Sequence, residues 1–99
     1  MTLIKETIIK EKKRITFMLN EYEKHLLSLP KGVISKKQNG NKTYYYLKYR
    51  DKDKVISKYI SKDDINEIKE KIEERRHIEA MIKSLEKELI IANKALRVK

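Results

Sequence analysis

The sequence has no cysteine and no tryptophan, and only one proline, one phenylalanine and two glycines among its 99 residues. Without cysteine the chain can form neither disulfides nor thiolate metal sites. It also contains no apolar run long enough for a secretion signal or a membrane helix, so we expect a cytoplasmic protein. A chain of this length is expected to form a single domain, residues 1–99, that is too small to enclose a deep catalytic cavity.

Charge, by contrast, is abundant and unevenly distributed. The chain carries 25 basic and 15 acidic residues, for a formal net charge of +10. Residues 31–62 hold ten of the basic residues and two of the acidic ones, so this middle third contributes +8. Positive charge of this size attracts phosphate backbones, anionic membranes or acidic protein surfaces. The middle third is therefore the part of the sequence best suited to bind an anionic partner.

The first third of the sequence has the apolar spacing of an amphipathic helix. Ile, Leu and Tyr recur three, four or seven residues apart between Ile8 and Leu29, with Lys and Glu in the positions between them. Pro30 ends the pattern because proline has no amide hydrogen to donate to the helix. We predict a helix over residues 3–29.

The last third predicts a second, longer helix over residues 62–97. Ser61 can cap its first free amides, and two aspartates follow near the positive end of the helix dipole. The apolar residues change phase between Ile72 and Ile78, which indicates that this helix packs against two different partners. From Ile78 to Leu96 they alternate in steps of four and three, as in an antiparallel coiled-coil hairpin formed with the first helix.

Between the helices the apolar period changes to two, which predicts strands over residues 33–38, 42–50 and 54–60. Asn39 and Gly40 are expected to form a two-residue type I′ turn between the first two strands. The predicted fold is therefore α+β, with two long helices flanking a small three-stranded antiparallel sheet in the order α-β-β-β-α.

The turns also predict which residues lie opposite each other. With Asn39 and Gly40 as the first turn, the first and second strands are expected to form the pairs Ile34 with Tyr45 and Lys36 with Thr43. With Lys52 and Asp53 as the second turn, the second and third strands are expected to form the pairs Tyr49 with Ile56 and Leu47 with Lys58.

Alternation then divides the sheet residues between two faces. The apolar face, which we expect to be the core, carries Ile34, Tyr45, Leu47, Tyr49, Ile56 and Ile60. Ile65, Ile68 and Ile72 of the second helix are expected to cover it. The other face carries Lys37, Lys42, Tyr44, Tyr46, Lys48, Arg50, Ser57 and Tyr59.

This second face is the main candidate for a binding site. Tyrosine rings can stack on bases or hydrogen-bond to phosphates, and Lys and Arg neutralise a phosphate backbone. The residues expected to contact nucleic acid or another partner are Lys37, Lys42, Tyr44, Tyr46, Lys48, Arg50 and Tyr59. The alternative is a solvated face whose tyrosines shield the edge strands and keep the sheet soluble.

A second basic cluster lies where the apolar phase of the long helix changes. Arg75 and Arg76 could provide a further anion contact, or they could pair with neighbouring glutamates at a solvated helix junction. His25 lies near the end of the first helix, where a cation is favoured by the helix dipole.

Enzyme chemistry has little support in the sequence. It contains no glycine-rich phosphate loop, no zinc-protease motif and no nucleophile with an evident base. Glu73, Glu74 and His77 could meet on one turn of a helix, but a charged helix surface explains them more simply than a metal site does. We therefore expect no catalytic residues, no metal and no cofactor.

The stretch from Leu29 to Asp64, "LPKGVISKKQNGNKTYYYLKYRDKDKVISKYISKDD", with the charged helix after it, resembles a widespread group of small uncharacterised bacterial and archaeal proteins. Those proteins share an LPKG motif, a YYYLxYR strand and an SKYI strand between two helices. More loosely, residues 33–74 resemble the arm-binding domain of phage and transposon integrases, which lays a three-stranded sheet in the major groove. That likeness implies DNA contacts by Tyr44, Tyr46, Lys48 and Arg50.

Three functions remain open at this point. The first is a non-enzymatic binding protein that holds a basic sheet against DNA, RNA or a nucleoprotein. The second is a phage or mobile-element inhibitor of a host defence nuclease, such as an anti-CRISPR protein bound to a CRISPR effector, and the third is an antitoxin. Because Ile90 and Ile91 point away from the seam that Leu89 and Ala92 occupy, we also expect a homodimer through the C-terminal helix.

Overall fold

A computed structural model describes residues 3–97 of the chain. Its elements, in order, are α1 (Leu3–Leu27), β1 (Val33–Asn39), β2 (Lys42–Asp51), β3 (Lys54–Ile60) and α2 (Ile65–Arg97). The three strands form one antiparallel sheet in the order β1-β2-β3, so β2 is central. The α-β-β-β-α arrangement predicted from the sequence is confirmed.

Helix α1 ends two residues before the predicted boundary. The backbone amide and the hydroxyl of Ser28 both donate hydrogen bonds to the carbonyl oxygen of His25, at 3.1 Å and 2.7 Å. These bonds close the last turn over three residues instead of four, and Pro30 prevents the helix from continuing.

Helix α2 begins three residues later than predicted, because residues 61–64 form a turn. The amide of Asp64 donates to the carbonyl oxygen of Ser61 at 3.1 Å, and the Ser61 hydroxyl donates to the Asp64 carboxylate at 2.9 Å. The carbonyl oxygen of Asp64 accepts the first helical hydrogen bond, from the amide of Ile68 at 3.0 Å. Asp64 therefore occupies the N-cap position that we predicted for Ser61.

The predicted turn between β1 and β2 is wrong by one residue. Asn39 pairs with Lys42, so Gly40 and Asn41 are the turn residues, and Gly40 has a φ of +66°. A positive φ at the first turn residue alone is typical of a type II′ turn, which asks this conformation only of the glycine. A type I′ turn at Asn39 and Gly40 would have required it of an asparagine as well.

The change of turn shifts the register of β1 against β2 by two residues. Ile34 lies opposite Leu47 instead of Tyr45, and Lys36 lies opposite Tyr45 instead of Thr43. Because side chains alternate with a period of two, a two-residue shift leaves each residue on its predicted face.

The turn between β2 and β3 agrees with the prediction. Asp51 pairs with Lys54 across Lys52 and Asp53, and the expected pairs Tyr49 with Ile56 and Leu47 with Lys58 are present. Lys52 has a φ of +58°, an uncommon conformation for a residue other than glycine.

Two compact units divide the chain. The sheet unit, Leu29–Arg76, has a core of buried Leu47, Ile60 and Ile72. Five partly buried residues pack against that core, namely Ile34, Tyr45, Tyr49, Ile65 and Ile68. The predicted apolar face of the sheet and its three covering isoleucines are therefore confirmed, and Ile56 on the same face is half-buried.

Within the described residues, the helical unit combines residues 3–28 with residues 77–97. Its buried residues are Ile15 of α1 and Ile78, Ile82, Leu85 and Ala92 of α2. Helix α2 thus contributes to two cores, and the boundary between the units falls at the predicted change of apolar phase.

On the exposed surface of helix α1, Arg14 forms an ion pair with Glu11. The hydrogen bond that Arg14 donates to the Glu11 carboxylate lowers the pKa of Glu11. In the described part of the chain, neither helix is long and apolar enough to cross a membrane.

Candidate functional site

The face of the sheet opposite the core carries all seven residues predicted for the main binding site. Register and alternation place twelve residues on it, and we call this surface the tyrosine face. Its members are Val33, Ser35, Lys37, Asn39, Lys42, Tyr44, Tyr46, Lys48, Arg50, Val55, Ser57 and Tyr59. The predicted set of three tyrosines and four basic residues is therefore brought together on one surface.

The three tyrosines form a cluster at the centre of this face. Tyr46 lies directly opposite Tyr59, and their ring centroids are 5.8 Å apart with planes inclined by 69°. Tyr44 lies diagonally across from Tyr59, at 6.4 Å and 55°. Aromatic pairs at these distances stabilise a fold by about 0.5–1.5 kcal/mol each, so the rings are held in defined orientations.

Tyr59 is the most accessible ring of the cluster. Tyr59 is 55% exposed, whereas Tyr44 and Tyr46 are half-buried. It lies on β3, an edge strand, and its ring contacts the rings of both other tyrosines. A planar ligand would therefore meet Tyr59 first.

Exposed cations lie on both sides of the rings. At one end Lys42 is opposite Asn39, and Lys37 is opposite Tyr44; at the other end Lys48 follows Tyr46 along β2. Arg50 continues the row two residues beyond Lys48, opposite Val55 on β3. Lys42 and Lys48 are six residues apart on one strand, which corresponds to about 20 Å.

Carboxylates are excluded from this surface. The only acidic residues of the middle third are Asp51, which the alternation places on the opposite face, and Asp53, which lies in the turn. Four cations and no anions therefore share one side of the sheet, and the tyrosine face is suited to an anionic ligand.

The sequence interpretation missed several members of the tyrosine face. Val33 and Val55 are 60% and 67% exposed, next to Lys48 and Arg50 respectively. Ser35 and Asn39 are alternate residues of β1 and lie on the same face as Val33. Alternation alone would have placed Val33, Ser35 and Val55 on this face, whereas Asn39 was left out because it had been predicted to lie in the turn.

The second predicted anion contact has a different environment. The guanidinium of Arg75 is partly buried and donates a hydrogen bond to the carbonyl oxygen of Leu29 at 3.0 Å. This bond ties α2 to the segment between α1 and β1, within the sheet unit. Arg76 is exposed. Within residues 3–97, no cluster of three or more His, Cys, Asp or Glu residues could hold a metal ion.

Comparison with known proteins relates the chain to one family. The model of that family, described as a domain of unknown function, DUF6788, matches residues 5–70. The match spans most of α1, all three strands and the start of α2, and so includes the whole tyrosine face. No curated protein and no solved structure matches the chain significantly.

Proposed function

This chain belongs to the DUF6788 family, a domain of unknown function, and from its tyrosine face we propose that it binds nucleic acid, free or within a nucleoprotein. The role is non-enzymatic and cytoplasmic, and it requires no cofactor. The looser likeness of the three strands and the following helix to the arm-binding domain of integrases favours the same ligand class.

The observation that carries this proposal is the composition of one exposed surface. Lys37, Lys42, Lys48 and Arg50 surround three tyrosine rings, and the face contains no carboxylate. Cations neutralise phosphates, while rings add stacking or hydroxyl contacts that do not depend on base sequence. A face that only kept the sheet in solution would not need its charges to be all of one sign.

The proposal predicts a specific dependence on salt. Each cation that neutralises a phosphate contributes about −0.7 to −0.9 to the slope of log affinity against log salt, so four cations give a slope of about −3 to −4. The variant Lys48→Ala/Arg50→Ala should bind more weakly, with about half this slope. Fluorescence anisotropy with a labelled oligonucleotide over a salt series measures both quantities.

A matched control separates the face from the total charge. Lys36 and Lys58 are exposed but lie on the other side of the sheet, so Lys36→Ala/Lys58→Ala removes the same charge and leaves the tyrosine face intact. This control should keep the steep slope. Equal slopes for the two double variants, with unchanged circular dichroism, would contradict the proposal.

The inhibitor and antitoxin alternatives require a protein partner. Affinity capture of the tagged chain, with and without nuclease treatment, distinguishes them from nucleic-acid binding. If nucleic acid is recovered and the association disappears with nuclease or salt, the proposal stands. If one protein remains at near-equal stoichiometry after nuclease, the protein is an inhibitor or antitoxin that docks an acidic surface.

A further inference from the structure

We infer that the ligand of the tyrosine face is a single-stranded polynucleotide whose unpaired bases stack on the tyrosine rings. This inference rests on the proposed function and adds the strandedness of the ligand. It follows from three features of the tyrosine face: the position of the rings, the kind of side chain at the centre, and the spacing of the cations.

The Tyr59 ring is already held in place before a flat ligand binds. The Tyr59 ring contacts the rings of Tyr44 and Tyr46, with centroids 6.4 Å and 5.8 Å away, yet the residue is 55% exposed. Because the neighbours already hold the Tyr59 ring in place, little side-chain entropy is lost when a base stacks on it.

The centre of the face suits the flat surface of a base better than its edge. In a duplex the flat surfaces are covered by the neighbouring base pairs, and proteins read the exposed edges with Arg, Lys, Asn or Gln. On the tyrosine face Asn39 and Arg50 lie at opposite ends, and the central row across the three strands, Ser35, Tyr46 and Tyr59, contains only tyrosine and serine. Unpaired bases, in contrast, expose the surface that aromatic rings stack against.

The cations are placed to hold the backbone on either side of the stacked bases. Lys42 and Lys48 are separated by about 20 Å along β2, with Tyr44 and Tyr46 between them. Other sheets that bind single strands stack two or three bases on their aromatic residues, and this distance accommodates that number. The cations at the two ends of the tyrosine face neutralise the phosphates on either side of the stacked bases.

The test uses the whole chain and three labelled probes with equal numbers of phosphates. These are an oligothymidylate strand, an oligouridylate strand and a DNA hairpin duplex. The wild-type protein should bind at least one single strand more tightly than the duplex, and the tighter of the two identifies DNA or RNA as the source. Tyr59→Leu should weaken single-strand binding about five- to 150-fold, while Tyr59→Phe, which keeps the ring, should bind like the wild type.

A spectroscopic readout reports stacking directly. Because the chain has no tryptophan, Tyr59→Trp introduces a single indole at the centre of the site. Its fluorescence should be quenched when a single strand is added and should change little when the duplex is added. Circular dichroism of each variant verifies that the sheet is folded.

The outcomes separate the inference from the proposed function. Duplex binding equal to or tighter than single-strand binding would overturn the inference and leave nucleic-acid binding intact. Single-strand binding by Tyr59→Trp without quenching of its indole fluorescence would have the same meaning. Failure of the wild-type protein to bind any probe would overturn both.

Discussion

At the scale of single residues, Gly32 occupies a position that other residues cannot take without strain. Its φ is +123°, and a Cβ atom there would overlap the carbonyl oxygen of Lys48 and lie 3.0 Å from the Cβ of Tyr49. Gly32 thus lets the chain before β1 pass close to the central strand. Gly32→Ala should lower the free energy of unfolding by about 2 kcal/mol or more, because it adds a steric overlap to an unfavourable backbone conformation.

Gly40 provides the matched control for this prediction. It also has a positive φ, +66°, but a Cβ atom there would meet nothing within 4 Å. Gly40→Ala should therefore cost only the strain of the backbone conformation, about 1–2 kcal/mol, and less than Gly32→Ala. Urea denaturation of both variants measures the difference, and a larger loss for Gly40→Ala would contradict this account of Gly32.

At the scale of elements, Arg75 links helix α2 to the segment that leads into β1. Arg75→Met removes the hydrogen bond to the Leu29 carbonyl oxygen and should lower the free energy of unfolding by about 1–2 kcal/mol. Arg76→Met removes the same charge from an exposed neighbour and should change stability by less than about 0.5 kcal/mol. Thermal or urea denaturation compares the two. If Arg75→Met weakened nucleic-acid binding but not stability, Arg75 would be an anion contact after all.

At the scale of the whole molecule, we expect the C-terminal part of α2 to form a homodimer. Ile90 and Ile91 are 55% and 66% exposed, whereas Ala92 beside them is buried. Exposed apolar residues so close together favour contact with a second copy of the same surface. Light scattering at high micromolar concentration should give twice the mass of one chain.

A lysine substitution tests where this contact lies. Ile90→Lys/Ile91→Lys should reduce the mass to that of one chain, because a charged pair cannot be buried without a partner. Leu27→Lys, at an 89% exposed position on α1, is the control and should leave the mass unchanged. A wild-type protein that has the mass of one chain at this concentration would reject the homodimer.

Much of the fold could be predicted because its signals are local. The helical spacing from Ile8 to Leu29 and the alternation around Tyr44 and Tyr46 reflect the periods of 3.6 and two that the two backbone conformations impose. The seven candidate site residues were grouped correctly on one face for the same reason. An even shift of register keeps each residue on the same face of the sheet. The wrong prediction of the turn at Asn39 and Gly40 therefore left all seven candidate residues on their predicted face.

The sequence by itself therefore determined the order of the elements, the two faces of the sheet and the concentration of positive charge in the middle third. Only the tertiary structure decided the register of β1 against β2, the contacts of Tyr59 with Tyr44 and Tyr46, and the bond from Arg75 to Leu29. For the tyrosine contacts and the Arg75 bond, the physical reason is distance along the chain. Helical spacing and strand alternation are properties of neighbouring residues, whereas Arg75 and Leu29 are 46 positions apart and meet only because the whole sheet unit is packed.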